Sequence, residues 1–121
     1  MAEMTIIVEF ETFEGAEPAF TRILIDHARR SLAEEPGCIR FDIVKPIGED
    51  GKPAPNKIIA NETYRDQNAV NAHNASPRLP SVQQATKPLL KSRRLILGRS
   101  LMATLKEHGT PPDELNAAND G

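Results

Sequence analysis

Apolar and polar residues alternate from Thr5 to Phe13, with Ile6, Val8 and Phe10 on one side and Thr5, Ile7, Glu9 and Glu11 on the other. A period of two predicts a strand with one mainly apolar face. Gly15 breaks the pattern, and after Glu17-Pro18 the spacing changes. Phe20, Ile23, Leu24, His27, Ala28 and Leu32 then recur at helical intervals. An amphipathic helix is expected there, with Pro18 in its first turn and Pro36-Gly37 as its stop. Alternation returns from Ile39 to Lys45, placing Ile39, Phe41 and Ile43 on one face and Arg40, Asp42 and Val44 on the other. Pro46 to Asn56 holds three prolines and two glycines, which predicts a long, mobile turn. A third strand, Lys57 to Arg65, sets Ile58, Ala60, Glu62 and Tyr64 on a single face. Asp66 is suited to cap a short helix running to Asn74. Pro77 opens a second helix through Leu79, Val82, Thr86 and Leu89, which Pro88 should end or kink. The last alternating run, Arg94 to Leu105, reads as a fourth strand interrupted by Gly98.

This order, β-α-β-β-α(α)-β, predicts an α+β fold of the ferredoxin-like split βαβ type, an antiparallel sheet with helices on one face. The expected domain is 1–106, and 107–121 reads as a polar, flexible tail. The strands carry apolar residues on both faces, as in the fourth, where Leu95, Leu97 and Leu101 alternate with Ile96, Gly98, Ser100 and Met102. Helices can cover only one face, so the other is expected to be buried in a homodimer, sheet against sheet.

Composition narrows the function. The formal net charge is −2 with 26% charged residues, and the longest basic cluster, Lys91-Ser92-Arg93-Arg94, is too short for a nucleic-acid stripe. Neither nucleic acid nor membrane is expected as a partner. The N-terminus lacks the features of a secretory leader, and no apolar run approaches the roughly 20 residues of a membrane span. A cytoplasmic location is the expectation. Cys38 is the single cysteine, read as a buried, inert thiol. With no Trp, a pocket must be walled by aliphatic side chains, with Phe10, Phe13, Phe20, Phe41 and Tyr64 as the aromatic contributors.

Candidate chemistry gathers between Glu62 and His73. Glutamate suits a mid-strand position poorly, and Glu62 shares its face with inward-pointing Ile58 and Ala60, so its carboxylate needs a hydrogen-bonding partner. His73 is the nearest titratable candidate, and a Glu62–His73 pair would orient the imidazole and raise its basicity. On the residues alone, a functional pair and a structural one both remain open. Tyr64 shares the face of Glu62 and could orient a substrate, or be a rim aromatic. Arg40 and Asp42 could pair with each other. No Gly-rich phosphate loop, serine-nucleophile motif or metal-binding histidine spacing is present.

The segments Glu35-Pro36-Gly37-Cys38-Ile39-Arg40-Phe41, Glu62-Thr63-Tyr64-Arg65-Asp66 and Ala72-His73, followed by Ser76-Pro77, resemble the recurring pattern of the antibiotic biosynthesis monooxygenase family. The resemblance runs over roughly residues 4 to 105. It implies a dimeric α+β barrel with a pocket between sheet and helices. It also implies oxidation of a small quinol or polyphenol by O₂, with no metal or flavin. His73 would then be the base, Glu62 its partner, and Tyr64, Arg40, Phe10 and Phe41 substrate contacts. In the family's haem-degrading branch, the key Asn, Trp and His fall on Phe10, His73 and Gln83 here, which disfavours haem degradation. A branch that isomerises phosphorylated sugar-like compounds would have only Arg40 and Arg65 as an obvious phosphate clamp. The alternatives are an isomerase of a small carbonyl compound and a non-catalytic dimeric ligand-binding or stress protein. Tyr64 stands where the family commonly has Trp, and the Gly48 to Pro55 insertion could form a lid or a dimer arm.

Overall fold

The computed structural model describes residues 2–102. Its elements are β1 (Met4–Thr12), α1 (Glu17–Glu34), β2 (Cys38–Val44), β3 (Lys57–Tyr64), α2 (Gln67–Asn74), α3 (Arg78–Thr86), a 3₁₀ turn (Lys87–Leu89) and β4 (Leu90–Arg99). The strands form one antiparallel sheet in the order β2-β3-β1-β4. This is the ferredoxin-like α+β arrangement expected from the pattern. The proposed tail 107–121 and the end of the predicted fourth strand, 103–105, lie outside the described residues. Among the described residues, no helix is long and apolar enough to cross a membrane.

The core is the layer between the sheet and α1. Ile6, Val8 and Phe10 of β1, Phe41 of β2, and Ile58, Ala60 and Tyr64 of β3 meet Phe20, Leu24 and Ala28 of α1. Phe10 and Phe20 stack in a tilted pair with ring centres 4.8 Å apart. Pro18 lies in the first turn of α1, as expected, and Glu17 sits there at the positive end of the helix dipole.

Four expectations need correction. Ile39 does not share the buried face of Phe41. Cys38 pairs with Tyr64 and Arg40 with Thr63, leaving Ile39 as the extra residue of a bulge and half exposed. Leu32 is also exposed, and Ser31 takes the buried position on α1, its hydroxyl accepting a hydrogen bond from Arg78. β4 begins at Leu90 rather than Arg94, because its ladder with β1 runs on through the polar residues, Ser92 opposite Glu11 and Leu90 opposite Thr12. The Pro46 to Asn56 segment is not an unstructured turn. Ile47 bridges Pro53, Gly48 N–H donates to the Lys52 carbonyl, and Ala54 N–H donates to that of Pro46. Glu17 ties its end to α1 by accepting from Asn56 N–H at 2.9 Å and from Lys45 Nζ at 2.8 Å.

Candidate active site

The turn from α1 into β2 begins the site. Glu35 caps α1 in an extended conformation, its N–H donating to the Ser31 carbonyl, and Pro36 prevents the helix from continuing. Gly37 then lets α2 approach closely: a Cβ there would collide with the Ala69 methyl group. α2 itself starts at Asp66, whose carboxylate accepts from Ala69 N–H at 2.8 Å. Together these fix the register of α2, turning Ala69, Val70 and His73 inward.

His73 is 5% exposed, and its Nδ1 lies 2.7 Å from Glu35 Oε1. A carboxylate only accepts, so Nδ1 carries the proton and donates it. Nε2 is left as the acceptor nitrogen, 3.8 Å from Glu62 Oε1. Glu62 in turn accepts from the Tyr64 hydroxyl at 2.7 Å. The expected neighbours therefore come together with their partnerships redistributed. His73 is hydrogen-bonded to Glu35, Glu62 to Tyr64, and the direct His73–Glu62 contact is longer than a hydrogen bond.

Arg78, the first residue of α3, clasps the back of this arrangement. It donates to Glu35 Oε2 at 2.9 Å, Glu34 Oε1 at 2.8 Å and Ser31 Oγ at 3.1 Å. Its Nε also points at His27 Nδ1, 3.4 Å away. Both oxygens of Glu35 are thus engaged, one by an imidazole and one by a guanidinium.

Burial sets the charge states around this centre. It pushes the Glu62 carboxyl above its usual range, opposed by the Tyr64 hydrogen bond and by His73. Burial, with His73 and Arg78 adding to it, lowers His27 to about 4, so that ring is neutral at pH 7 and can accept from Arg78. The Tyr64 phenol is driven upward by burial and by Glu62, and remains protonated. Burial likewise raises Cys38 to about 11, which makes it the inert thiol expected.

His73 and Glu62 form part of the wall of a cavity of about 130 Å³ between sheet and helices. The rest is chiefly apolar, including Val8, Phe10, Leu24 and Phe41. Phe10 and Phe41 thus stand where substrate contacts were expected. Tyr64 and Arg40 do not. Tyr64 is 0% exposed and lies behind Glu62, so its role is to hold that carboxylate. Arg40 projects from the opposite face of the sheet and pairs with Asp42 at 3.1 Å. Arg65 is also away from the cavity, beside Asp66. Among the described residues, no group of three or more His, Cys, Asp or Glu side chains is arranged to hold a metal ion.

Sequence reasoning missed Glu35, Arg78 and His27 as members of this network. Glu35 is 38 residues from His73 and 43 from Arg78, so no helix or strand spacing links them. The available signal was that Glu35 stands at the head of the Glu-Pro-Gly-Cys motif, where a charged side chain ends a helix beside the core.

An α+β fold of this order, with an imidazole held by a carboxylate on a small, largely apolar cavity, defines a class of domain suited to acid–base work. Comparison with known proteins makes this specific. The sequence profile described as antibiotic biosynthesis monooxygenase matches residues 4–85. The chain belongs to this family, an assignment that carries a monooxygenase-type, oxidoreductase function. Solved structures share the fold. PA3566 of Pseudomonas aeruginosa is 19% identical, with a TM-score of 0.71, over 84% of this chain and 97% of that one. Rv0793 of Mycobacterium tuberculosis is 20% identical, with a TM-score of 0.71, over 85% and 99%. A candidate antibiotic biosynthesis monooxygenase of Nitrosomonas europaea is 20% identical, with a TM-score of 0.72, over 85% and 94%. No curated protein matches the sequence.

Proposed function

We propose that the protein is a cofactor-independent monooxygenase that oxidises a single-ring quinol or polyphenol with O₂. The observation that carries this reading is the Glu35–His73 hydrogen bond at 2.7 Å on the wall of a largely apolar cavity. With Nδ1 occupied by Glu35, Nε2 takes the phenolic proton, and the Glu35 carboxylate stabilises the imidazolium that results. The phenolate is electron-rich and gives up an electron to O₂ inside a chamber walled chiefly by apolar side chains. A quinol plus O₂ yields a hydroxyquinone and water, and the ring supplies all four electrons. The reaction therefore balances without an external reductant, metal or flavin. Glu62 lies on the same wall, and burial raises its carboxyl above the usual range, which suits it to proton transfer in the later steps.

Cavity size selects the substrate. An apolar cavity of roughly 150 Å³ takes up benzene. At about 130 Å³ this chamber suits one ring. The protein is further read as a homodimer, the uncovered sheet face bearing Ile7, Ile59 and Ile96 serving as the interface.

The test is oxygen uptake with hydroquinone, followed by mass analysis of the product formed under labelled O₂. The expected result is one labelled oxygen atom in the quinone product. Uptake without label in the ring would reduce the activity to a simple oxidase, and no uptake across single-ring quinols would remove the monooxygenase reading.

A further inference from the structure

We propose that the mouth of the cavity is an oxyanion subsite, and that the ring entering it carries a carboxylate. The reading of the reaction above supplies the ring's fate, whereas the subsite is argued from geometry alone. A second depression, of about 410 Å³, lies immediately outside the cavity and shares Gln83, Thr86, Leu90 and Arg93 with its wall. The two are therefore an inner chamber and its vestibule. The inner one is mostly aliphatic and aromatic. The outer one adds Lys87 and Lys91 to Arg93, and no acidic residue lines it.

Arg93 stands at the boundary. It is opposite Phe10 in the β1–β4 register, so its side chain leaves the same sheet face as the Phe10 ring that walls the chamber. Lys91 has Glu11 at 4.0 Å, whereas neither Lys87 nor Arg93 makes a salt bridge among the described residues. Two other arginines on the sheet do find partners, Arg94 with Glu9 at 3.2 Å and Arg40 with Asp42 at 3.1 Å, whereas Arg99, at the far end of β4 and away from the chamber, makes no salt bridge among the described residues. A guanidinium left over at the junction of an apolar chamber and a cationic vestibule is complementary to a ring with an anionic group attached. Its planar fork matches a carboxylate in two parallel hydrogen bonds. A carboxylate joined directly to the ring spans the short step from chamber to Arg93, and the lysines steer it in.

The test is calorimetric titration under anaerobic conditions, so that binding is read without turnover. The probes are gentisate, its methyl ester, benzoate and phenyl phosphate. Gentisate is expected to bind about tenfold more tightly than its ester, the scale of one charged hydrogen-bonded contact. The advantage should shrink with added salt and largely vanish in Arg93→Gln, with a smaller loss in Lys87→Gln. Equal binding of acid and ester, no binding of the acid, or an undiminished preference in Arg93→Gln would overturn the proposal. Tighter binding of phenyl phosphate than of benzoate would overturn the carboxylate assignment. The acid–ester comparison uses wild-type protein, so it stands whether or not a variant folds. Absence of oxygen uptake would remove the monooxygenase reading without touching this one.

Discussion

Replacing Glu35 by Gln isolates what the His73 contact does. The amide keeps the size of the side chain, but it can present either a donor or an acceptor to Nδ1 and carries no charge to stabilise an imidazolium. Turnover in Glu35→Gln is expected to fall on the order of a hundredfold or more, with substrate binding nearly unchanged. Steady-state oxygen uptake, separating kcat from KM, reads this directly; an effect confined to KM would make Glu35 a binding residue instead. Glu62 and His27 make a second, pH-dependent statement. Glu62 has its folded pKa raised above the ordinary 4.5, so its contribution favours the fold below that value and is lost as pH rises. Glu62→Gln, which keeps an acceptor for Tyr64, should therefore raise Tm at neutral pH, and the difference from wild type should close as pH falls toward 4.5. His27 has the opposite sign. Its folded value is lowered from 6.5 to about 4, so the fold loses stability as pH falls through that window, and His27→Gln should flatten this loss. Thermal melts from pH 4 to 8 test both, and parallel wild-type and variant curves would contradict them.

Elements were largely legible in the pattern, and their exceptions have local causes. Glu62 and Tyr64 could be set on the buried face of β3 because period-two alternation is strict there. The Ile39 bulge was invisible, since an apolar residue at an alternating position reads as inward whether or not a partner faces it. The start of β4 was hidden because Lys91 to Arg94 is an exposed edge whose pairing, not its hydrophobicity, makes it a strand. The Pro46 to Asn56 segment looked mobile because composition reports turns without reporting the Glu17 side chain that anchors them. Gly37 supplies the test at this scale. Gly37→Ala forces a methyl against Ala69 and pushes α2 away, at a cost of about 1–3 kcal/mol. Because α2 carries His73, activity should fall alongside Tm. A fully active variant of normal stability would show that the close approach does not position the imidazole.

At the level of the whole molecule, the fold could be read from element order, whereas the site could only half be. His73, Glu62, Phe10 and Phe41 were reachable because each lies on a patterned face. Glu35 and Arg78 were not, because the contacts that matter join the end of α1 to α2 and to the start of α3 across the tertiary fold. The uncovered sheet face makes its own prediction. Ile7 and Ile96 are directly opposite each other there, and Ile96 is 38% exposed. Light scattering should report a dimer for wild type and a monomer for Ile96→Arg, which places a charge in the apolar centre of the face. A wild-type monomer would leave that face to solvent and remove the dimer from the account. The most direct measurement is oxygen consumption with a single-ring quinol by wild-type and His73→Ala proteins of matched folding. The account predicts uptake by wild type that falls at least about a hundredfold in the variant. Equal uptake by the two, or none by wild type, would contradict it.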